Sequence, residues 1–433
     1  MLKAGWLKLL PGYIICALAF FIPFPFIYSS AAIVLLALVW LLQLDGRSFV
    51  SNLKERKILW VWLAYYLVHA LSYFYSTNKE QSLFDLQVKL SLLVLPLIIG
   101  TFNTSRRLVD RVFMSFIAGV NVIGIFYLCR ACLRWMNTGD TSHFFYHNLV
   151  EGFDAHAVYM ALYTMLAISA LLFMPLKQYF TKKWKWVGIA LLLIDFVLFL
   201  LLSSRTLILV MLFFVAPLYL FRNIKRLPKA AIVSSIVVFM TLVVGLFATD
   251  NPIKSRYDSI VHNDIQNAWL NDYSNVDESR FSNLTVRVFA WRVGFQNLKD
   301  NNGWLTGVGN GDVKDVQNNK MRELGIRHLT GGEHDYKSGF YNLNLHNMFM
   351  QTLVMVGLPG LILLVMMLLS PFFYMDFLKN NLVFFVFHIV SFLFMMQEAG
   401  LQSQAGVVFY ALFALLWWSY YYTNNSFKSL KNS

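Results

Sequence analysis

The residues best suited to chemistry in this chain are a few arginines that lie beside long apolar segments. Arg205 lies in 201-LLSSRTLILV-210, between two apolar runs with almost no loop between them. Arg287 and Arg292 follow in the polar stretch 285-TVRVFAWRVGFQNLKD-300. Guanidinium groups stay charged and bind phosphate through paired hydrogen bonds, so these residues suit a diphosphate ligand. The alternative for Arg205 is an interfacial anchor whose head group reaches the lipid headgroups.

Two histidines lie where predicted helices begin. His156 is in 154-DAHAVYMALY-163 and His346 is in 342-NLNLHNMFMQ-351. Histidine titrates near neutral pH and can take the proton of an attacking hydroxyl. Because a histidine at a helix end often serves only as a cap, the sequence leaves both roles open for each residue.

The elements that position these side chains are apolar helices. The chain has 433 residues, of which 58% are hydrophobic, and many apolar runs can cross a hydrocarbon core of about 30 Å at about 1.5 Å per residue. We therefore predict an all-α polytopic membrane protein with about twelve transmembrane helices. The predicted helices lie near 10–28, 30–44, 58–75, 83–102, 112–134, 156–175, 184–202, 206–221, 230–248, 346–369, 381–397 and 405–422.

The distribution of Lys and Arg predicts the orientation. With the N-terminus inside, the inner segments carry 20 of these residues and the short outer loops carry 4. This bias predicts that both termini are cytoplasmic and that the long segment 249–345 is extracytoplasmic. The net charge of +13 then lies mainly on the cytoplasmic rim, where it faces lipid headgroups, so we predict no nucleic-acid partner.

The long polar segment 249–345 divides the chain into three parts. We predict helices 1–9 in residues 1–248, an extracytoplasmic loop domain in 249–345 and helices 10–12 in 346–433. Residues 284–298 have apolar periodicity and predict an amphipathic helix along the membrane surface, on which Arg287 and Arg292 both border one pocket. The following 307-GVGNGD-312 permits close backbone approach, but it has no βαβ context and is not a nucleotide motif.

Three further features of the sequence are expected to have structural and not catalytic roles. Cys129 and Cys132 have C-x-x-C spacing within an apolar helix, where they are expected to pack. His143 and His147 have the spacing of a metal pair on a helix, but the H-E-x-x-H motif is absent, and we predict no metal. Lys89 is a charge within a predicted helix and is expected to pair with the carboxylate one turn earlier.

Several segments together resemble a known family. Residues 345-LHNMFMQTLVMVGLPGLILL-364 resemble the signature "H-N-x-x-L-x-x-L-x-x-x-G-L-x-G" of the O-antigen ligase and polymerase superfamily, with Phe349 and Met350 around the usual leucine position. The S-S-R-T at 203–206, the R-x-x-x-W-R with a following G-x-G-x-G at 287–311, and the large loop before the tenth helix agree with it.

The resemblance implies a GT-C-like glycosyltransferase that uses neither a cofactor nor a metal. Its donor would be a glycan linked to undecaprenyl diphosphate, and its acceptor lipid A–core or another glycan, with membrane lipids around it. Matched by position, Arg205 and Arg287 would bind the diphosphate, Arg292 would be a further candidate, and His346 would be the catalytic histidine. His156 matches a position where relatives often have His-Pro, and Ala157 departs from that pattern.

The reaction expected from the resemblance is that of an O-antigen ligase in the bacterial inner membrane. A polymerase that uses a second lipid-linked unit, and an oligosaccharyltransferase that glycosylates protein hydroxyls, share the donor chemistry and stay open. A polysaccharide transporter is disfavoured, because the polar candidates cluster outside and not at mid-membrane.

Overall fold

A computed structural model describes residues 2–152, 156–174, 185–223, 265–274, 276, 281–326, 340 and 342–431. Every regular element within these residues is helical. In chain order the α-helices are α1 (Leu2–Phe21), α2 (Phe26–Leu42), α3 (Gly46–Glu55), α4 (Ile58–Tyr75), α5 (Lys79–Lys89), α6 (Ser91–Ile98), α7 (Arg106–Thr138), α8 (Tyr146–Val150), α9 (Ala157–Phe173), α10 (Lys185–Leu201), α11 (Arg205–Val210), α12 (Ala216–Asn223), α13 (Asn283–Asp300), α14 (Val313–Glu323), α15 (Met348–Leu369), α16 (Met375–Asn380), α17 (Leu382–Gln397) and α18 (Gln404–Lys431).

The predicted helices correspond to observed helices wherever the chain is described, whereas the predicted segment 230–248 lies outside the described residues. Six helical segments in the described ranges are long and apolar enough to cross a membrane, and the bent pair α2–α3 would make a seventh. Four further apolar helices there have only 10–17 residues. The all-helical, multi-pass membrane fold is therefore confirmed, but the count of twelve spans is not.

The core of the bundle is built around α18. Residues 407–418 of this helix are almost completely buried on every side. A helix that is apolar all round belongs in the interior of a bundle. Large apolar side chains such as Phe213 and Phe221 are instead exposed on the outside, as expected for a surface that faces lipid.

The described part of the long polar segment has a hydrophobic cluster of its own. The helix predicted at 284–298 is confirmed as α13, with Ser282 as its N-cap. Phe289 and Val293 of α13 are fully buried and pack with Leu353 and Val354 of α15. This cluster fixes α13, and with it Arg287, to the first half of α15.

A break within α15 explains how the polar segment is attached. Gly357 has a φ of +71°, and Pro359 follows it, so the helix cannot satisfy its own backbone groups there. The segment after α13 supplies the partners: Val308 N donates to Val354 O at 2.8 Å and Gly309 N to Met355 O at 3.1 Å. In return, Leu358 N donates to Trp304 O at 2.9 Å.

The glycine turn at 307–311 therefore packs inside the protein. A methyl group on Gly307 would lie 2.3 Å from the carbonyl of Met355, and one on Gly311 would lie 2.1 Å from the carbonyl of Asn78. Asp312 then accepts hydrogen bonds from the backbone N–H groups of Thr77 and Asn78, at 2.7 Å each. The close approach that the glycines permit is to α15 and the start of α5.

Candidate active site

One cleft takes in four of the five candidate residues, Arg205, Arg287, His346 and His156. Its volume is about 1580 Å³, which includes the part open to solvent. Its walls come from the start of α9, from α11, from α13 and from the residues that flank the ends of α15 and α17. The fold thus gathers side chains that are far apart in the sequence.

The junction of α10 and α11 presents Arg205 to the cleft. Ser203 has a φ of +51° between these helices, so the chain turns at once and α11 begins at Arg205. The hydroxyl of Thr206 donates a hydrogen bond to Oε1 of Gln397, the last residue of α17. This bond joins two walls of the cleft and holds Arg205 beside the residues that follow α17.

The central side chain is Glu398, which no sequence pattern singled out. It follows α17 directly and has an extended backbone. One carboxylate oxygen accepts a hydrogen bond from Nη2 of Arg287 at 2.6 Å, and the other lies 3.1 Å from Nδ1 of His346. Glu398 therefore joins a candidate phosphate-binding residue to the candidate base.

The surroundings of Glu398 determine its ionisation. Burial by itself raises the pKa of Glu398, but the hydrogen bond from His346 and the charges of His346, Arg287 and His156 bring the pKa below its ordinary value of 4.5. The carboxylate is therefore ionised at neutral pH and only accepts hydrogen bonds. Nδ1 of His346 must then donate, which leaves Nε2 as the basic nitrogen of the neutral ring.

His346 has an unusual backbone and does not cap α15. Its φ is +42°, a left-handed conformation that costs a residue other than glycine on the order of 1 kcal/mol. Asn344 Oδ1 accepts its backbone N–H at 2.8 Å. The cap is Asn347, whose side chain accepts from the first turn of α15 and whose Nδ2 donates to Met396 O at 2.9 Å. The prediction that the tenth helix begins at His346 was wrong, because the chain is still turning there.

His156 lies on another wall of the cleft and is a helix cap. Its Nδ1 accepts the backbone N–H of Val158 at 3.3 Å, at the start of α9. Its ring packs edge-on against that of His147, with centroids 4.6 Å apart. Burial lowers the pKa of His156 and outweighs the opposing effect of Glu398, while His346 lowers this pKa further. A neutral ring fits the cap, since Nδ1 must lack a proton to accept.

Arg292 does not line the cleft. Its Nη1 donates to the carbonyls of Ala268 and Leu270 at 3.1 and 2.6 Å, and its guanidinium lies 6.0 Å from the ring centroid of Trp269. A rotation of about 140° around a helix separates it from Arg287, and that rotation turns it toward the 265–273 segment. The expectation that both arginines border one pocket does not hold in this structure.

The weaker candidates are placed elsewhere. His143 lies in a short 3-10 helix and His147 in α8, with extended Phe145 between them, so the pair does not share a helical face. Among the described residues no group of three His, Cys, Asp or Glu side chains is placed to hold a metal. Lys89 is fully buried and donates to Oε1 of Gln402 at 3.3 Å, and the expected ion pair with Asp85 does not form.

Residues 189–365 match the model of a family described as O-antigen ligase. The resemblance to the O-antigen ligase and polymerase superfamily is confirmed. The matched residues include Arg205, Arg287 and His346, whereas His156 and Glu398 lie outside the match. No curated protein gave a significant match to the chain.

One signal in the sequence could have identified Glu398. It stands in 396-MQEAGLQSQAG-406, between two apolar helices, and is the one acidic residue of that junction. A lone carboxylate at the end of a membrane helix is costly unless it has a partner. Glu398 is therefore as unusual at its junction as Arg205 is between its two apolar runs, with the opposite sign of charge.

Proposed function

We propose that this chain is an O-antigen ligase-like glycosyltransferase that moves a glycan from undecaprenyl diphosphate to a hydroxyl of lipid A–core. The observation that supports this most is the single cleft in which two arginines accompany the Glu398–His346 pair. The match to the O-antigen ligase family supports the substrate class. A donor that carries its own diphosphate leaving group is suited to a compartment without ATP.

The arginines are the proposed diphosphate site. Arg205 and Arg287 line the same cleft, and a guanidinium has five N–H donors, so the bond from Arg287 to Glu398 leaves several of them for a ligand. Arg205, Arg287 and Glu398 together contribute a net charge of +1 to this cleft. That balance favours an anion, and bidentate pairing would orient it.

His346 is the proposed base, and Glu398 positions it. Nε2 of His346 takes the proton of the acceptor hydroxyl while the hydroxyl oxygen forms a bond to the anomeric carbon of the donor. The bond between that carbon and the diphosphate oxygen breaks in the same displacement, with inversion. Arg205 and Arg287 neutralise the charge that develops on the departing diphosphate, and ionised Glu398 stabilises the imidazolium.

The orientation in the membrane is part of the proposal. The 20-to-4 distribution of Lys and Arg supports an orientation with both termini in the cytoplasm and the cleft at the outer face of the inner membrane. The 249–345 segment is then an extracytoplasmic domain between transmembrane regions 1–248 and 346–433. Lipid-linked donors displayed on that face would reach the cleft from the membrane.

Deletion of the gene tests the function. We expect long glycan chains to accumulate on undecaprenyl diphosphate and lipid A–core to remain without them, as measured on lipopolysaccharide gels and by mass spectrometry of extracted lipids. A single repeat unit attached to lipid A–core would instead identify a polymerase. Loss of glycan from proteins with intact lipopolysaccharide would identify a protein oligosaccharyltransferase.

A further inference from the structure

A second cavity lies next to the cleft and shares His156 with it. Its volume is about 1510 Å³, again including the part open to solvent. The turn between α1 and α2, together with α5, α9 and the start of α18, forms its walls. His156 lines both spaces, so this residue marks the boundary where they meet.

The two spaces differ in charge. No charged side chain is among the described residues that line the second cavity. Apart from His156, its polar side chains are uncharged amides and hydroxyls, including Gln87, Gln404 and Ser403. Aromatic rings such as Phe84 and Tyr159 also line it. Amides and hydroxyls bind sugar hydroxyls, and a mostly apolar wall with a few polar groups is typical of a ligand site. A phosphate would find no cation there to offset the loss of its hydration.

The polar wall is preformed. Nε2 of Gln404 donates to Oγ of Ser30 at 2.6 Å, and the hydroxyl of Tyr163 donates to Ala405 O at 3.0 Å. The carbonyl oxygen of the Gln402 side chain is held by buried Lys89 behind the wall. Because these groups are already fixed, a ligand would lose little free energy in ordering them.

We infer that the second cavity binds the uncharged saccharide end of the acceptor, while the cleft with the arginines binds the donor. This inference rests on the proposed glycosyl transfer, in which the two substrates must approach within bonding distance. Because His156 lines both spaces, the two substrates could approach each other beside this residue. The acceptor saccharide comes either from an outer core of lipid A–core or from a glycan repeat unit, which have the same hydroxyl chemistry.

Equilibrium binding of saccharides tests the inference without requiring turnover. The probes are a dephosphorylated core oligosaccharide and an oligosaccharide of one repeat unit, titrated calorimetrically into the full-length protein in nanodiscs. Gln87→Trp would fill the cavity and Phe84→Ala would remove one of its rings. Both positions are exposed on α5, so the variants should fold. Leu83→Trp is the control, since Leu83 is exposed on the same helix and does not line the cavity.

We expect one of the two saccharides to bind, with an affinity about tenfold lower in Gln87→Trp and Phe84→Ala and unchanged in Leu83→Trp and Arg287→Lys. The saccharide that binds identifies the acceptor. Absence of binding by both probes, or a loss of binding in Arg287→Lys but not in Gln87→Trp, would overturn the inference. If a saccharide binds as expected but the wild-type protein, supplied with lipid-linked donor, transfers no glycan to it, the cavity is a saccharide site and the proposed glycosyl transfer fails.

Discussion

Glu398 makes the cleft a connected unit at the scale of single residues. One of its carboxylate oxygens lies 2.6 Å from Nη2 of Arg287 and the other lies 3.1 Å from Nδ1 of His346. A movement of either side chain would therefore shift Glu398 and, through it, the other side chain. Removing one partner of a buried ion pair destabilises the folded protein, because the other charge is left unpaired. Substitutions that keep the charge but change the shape of a side chain are therefore expected to disturb this site.

Arg205→Lys and Arg287→Lys test the proposed diphosphate contacts. An ammonium keeps the charge but lacks the planar fork, so we expect weaker donor binding and a transfer rate at least about tenfold lower. The measurement is donor affinity and transfer by purified protein. Arg134→Lys is the control, because Arg134 pairs with Glu151 and does not line the cleft. Near-normal transfer in both cleft variants would make these arginines interfacial anchors.

His156 predicts a pH dependence of stability. Its pKa is lowered in the folded state, so the unfolded state binds the proton more readily once the pH falls below the ordinary value of 6.5. Stability contributed by the neutral ring is present above pH 6.5 and declines below it as the cap at Val158 is lost. Asparagine also caps helices but does not titrate.

We therefore expect the thermal unfolding temperature of wild-type protein to fall more between pH 7 and pH 5 than that of His156→Asn. Differential scanning fluorimetry in detergent measures both. An equal fall of the unfolding temperature in the two proteins between pH 7 and pH 5 would show that His156 does not titrate in this range.

Most of the candidate residues could be predicted from the sequence, because charged and titratable side chains are rare beside apolar helices. Arg205, Arg287, His156 and His346 stood out for that reason, and the structure places all four in one cleft. Arg292 is also an arginine of α13, but its guanidinium binds the 265–273 segment. Helical periodicity cannot predict that contact. Glu398 is an anion, so a diphosphate site predicted from cations and histidines does not include it.

At the scale of elements, the glycine-rich turn and the broken α15 depend on each other. The helix break leaves Val354 O and Met355 O without partners in α15, and Val308 N and Gly309 N supply them. Apolar periodicity predicted both α13 and α15, but not this joint, because a sequence motif does not reveal which backbone groups meet. The G-x-G-x-G pattern predicted close backbone approach, and its glycines approach the backbone of α15 and of the start of α5.

Gly309→Ala tests this joint. Gly309 has a φ of +110°, and a methyl group there would lie 2.7 Å from Oγ of Ser76. Strain and overpacking together should destabilise the protein by about 1–3 kcal/mol. We expect a lower unfolding temperature in detergent, while Gly46→Ala, whose methyl group would meet no atom within 4 Å, should be neutral. Equal unfolding temperatures for the two variants would contradict the account of the joint.

At the scale of the whole molecule, the orientation in the membrane decides which substrates can reach the cleft. Single cysteines at Asn301 and Ser48 test it, in a background where Cys16, Cys129 and Cys132 are replaced by alanine. Both positions are exposed. The Lys and Arg distribution predicts that a membrane-impermeant thiol reagent labels the cysteine at 301 in spheroplasts and leaves that at 48 unlabelled. The reverse pattern would put the cleft on the cytoplasmic side.

The proposed glycan transfer by the whole protein depends on His346. His346→Asn removes the base, yet asparagine tolerates the left-handed backbone at this position, so loss of folding is not expected to confuse the result. His143→Asn is the control, because His143 lies outside the cleft.

The most direct test is single-turnover transfer from undecaprenyl-diphosphate-linked glycan to lipid A–core by protein in nanodiscs, with donor binding measured in parallel. We predict that wild type and His143→Asn transfer the glycan, and that His346→Asn binds the donor normally but transfers it about 10²–10⁴-fold more slowly. Transfer by His346→Asn at the wild-type rate would contradict the proposed mechanism.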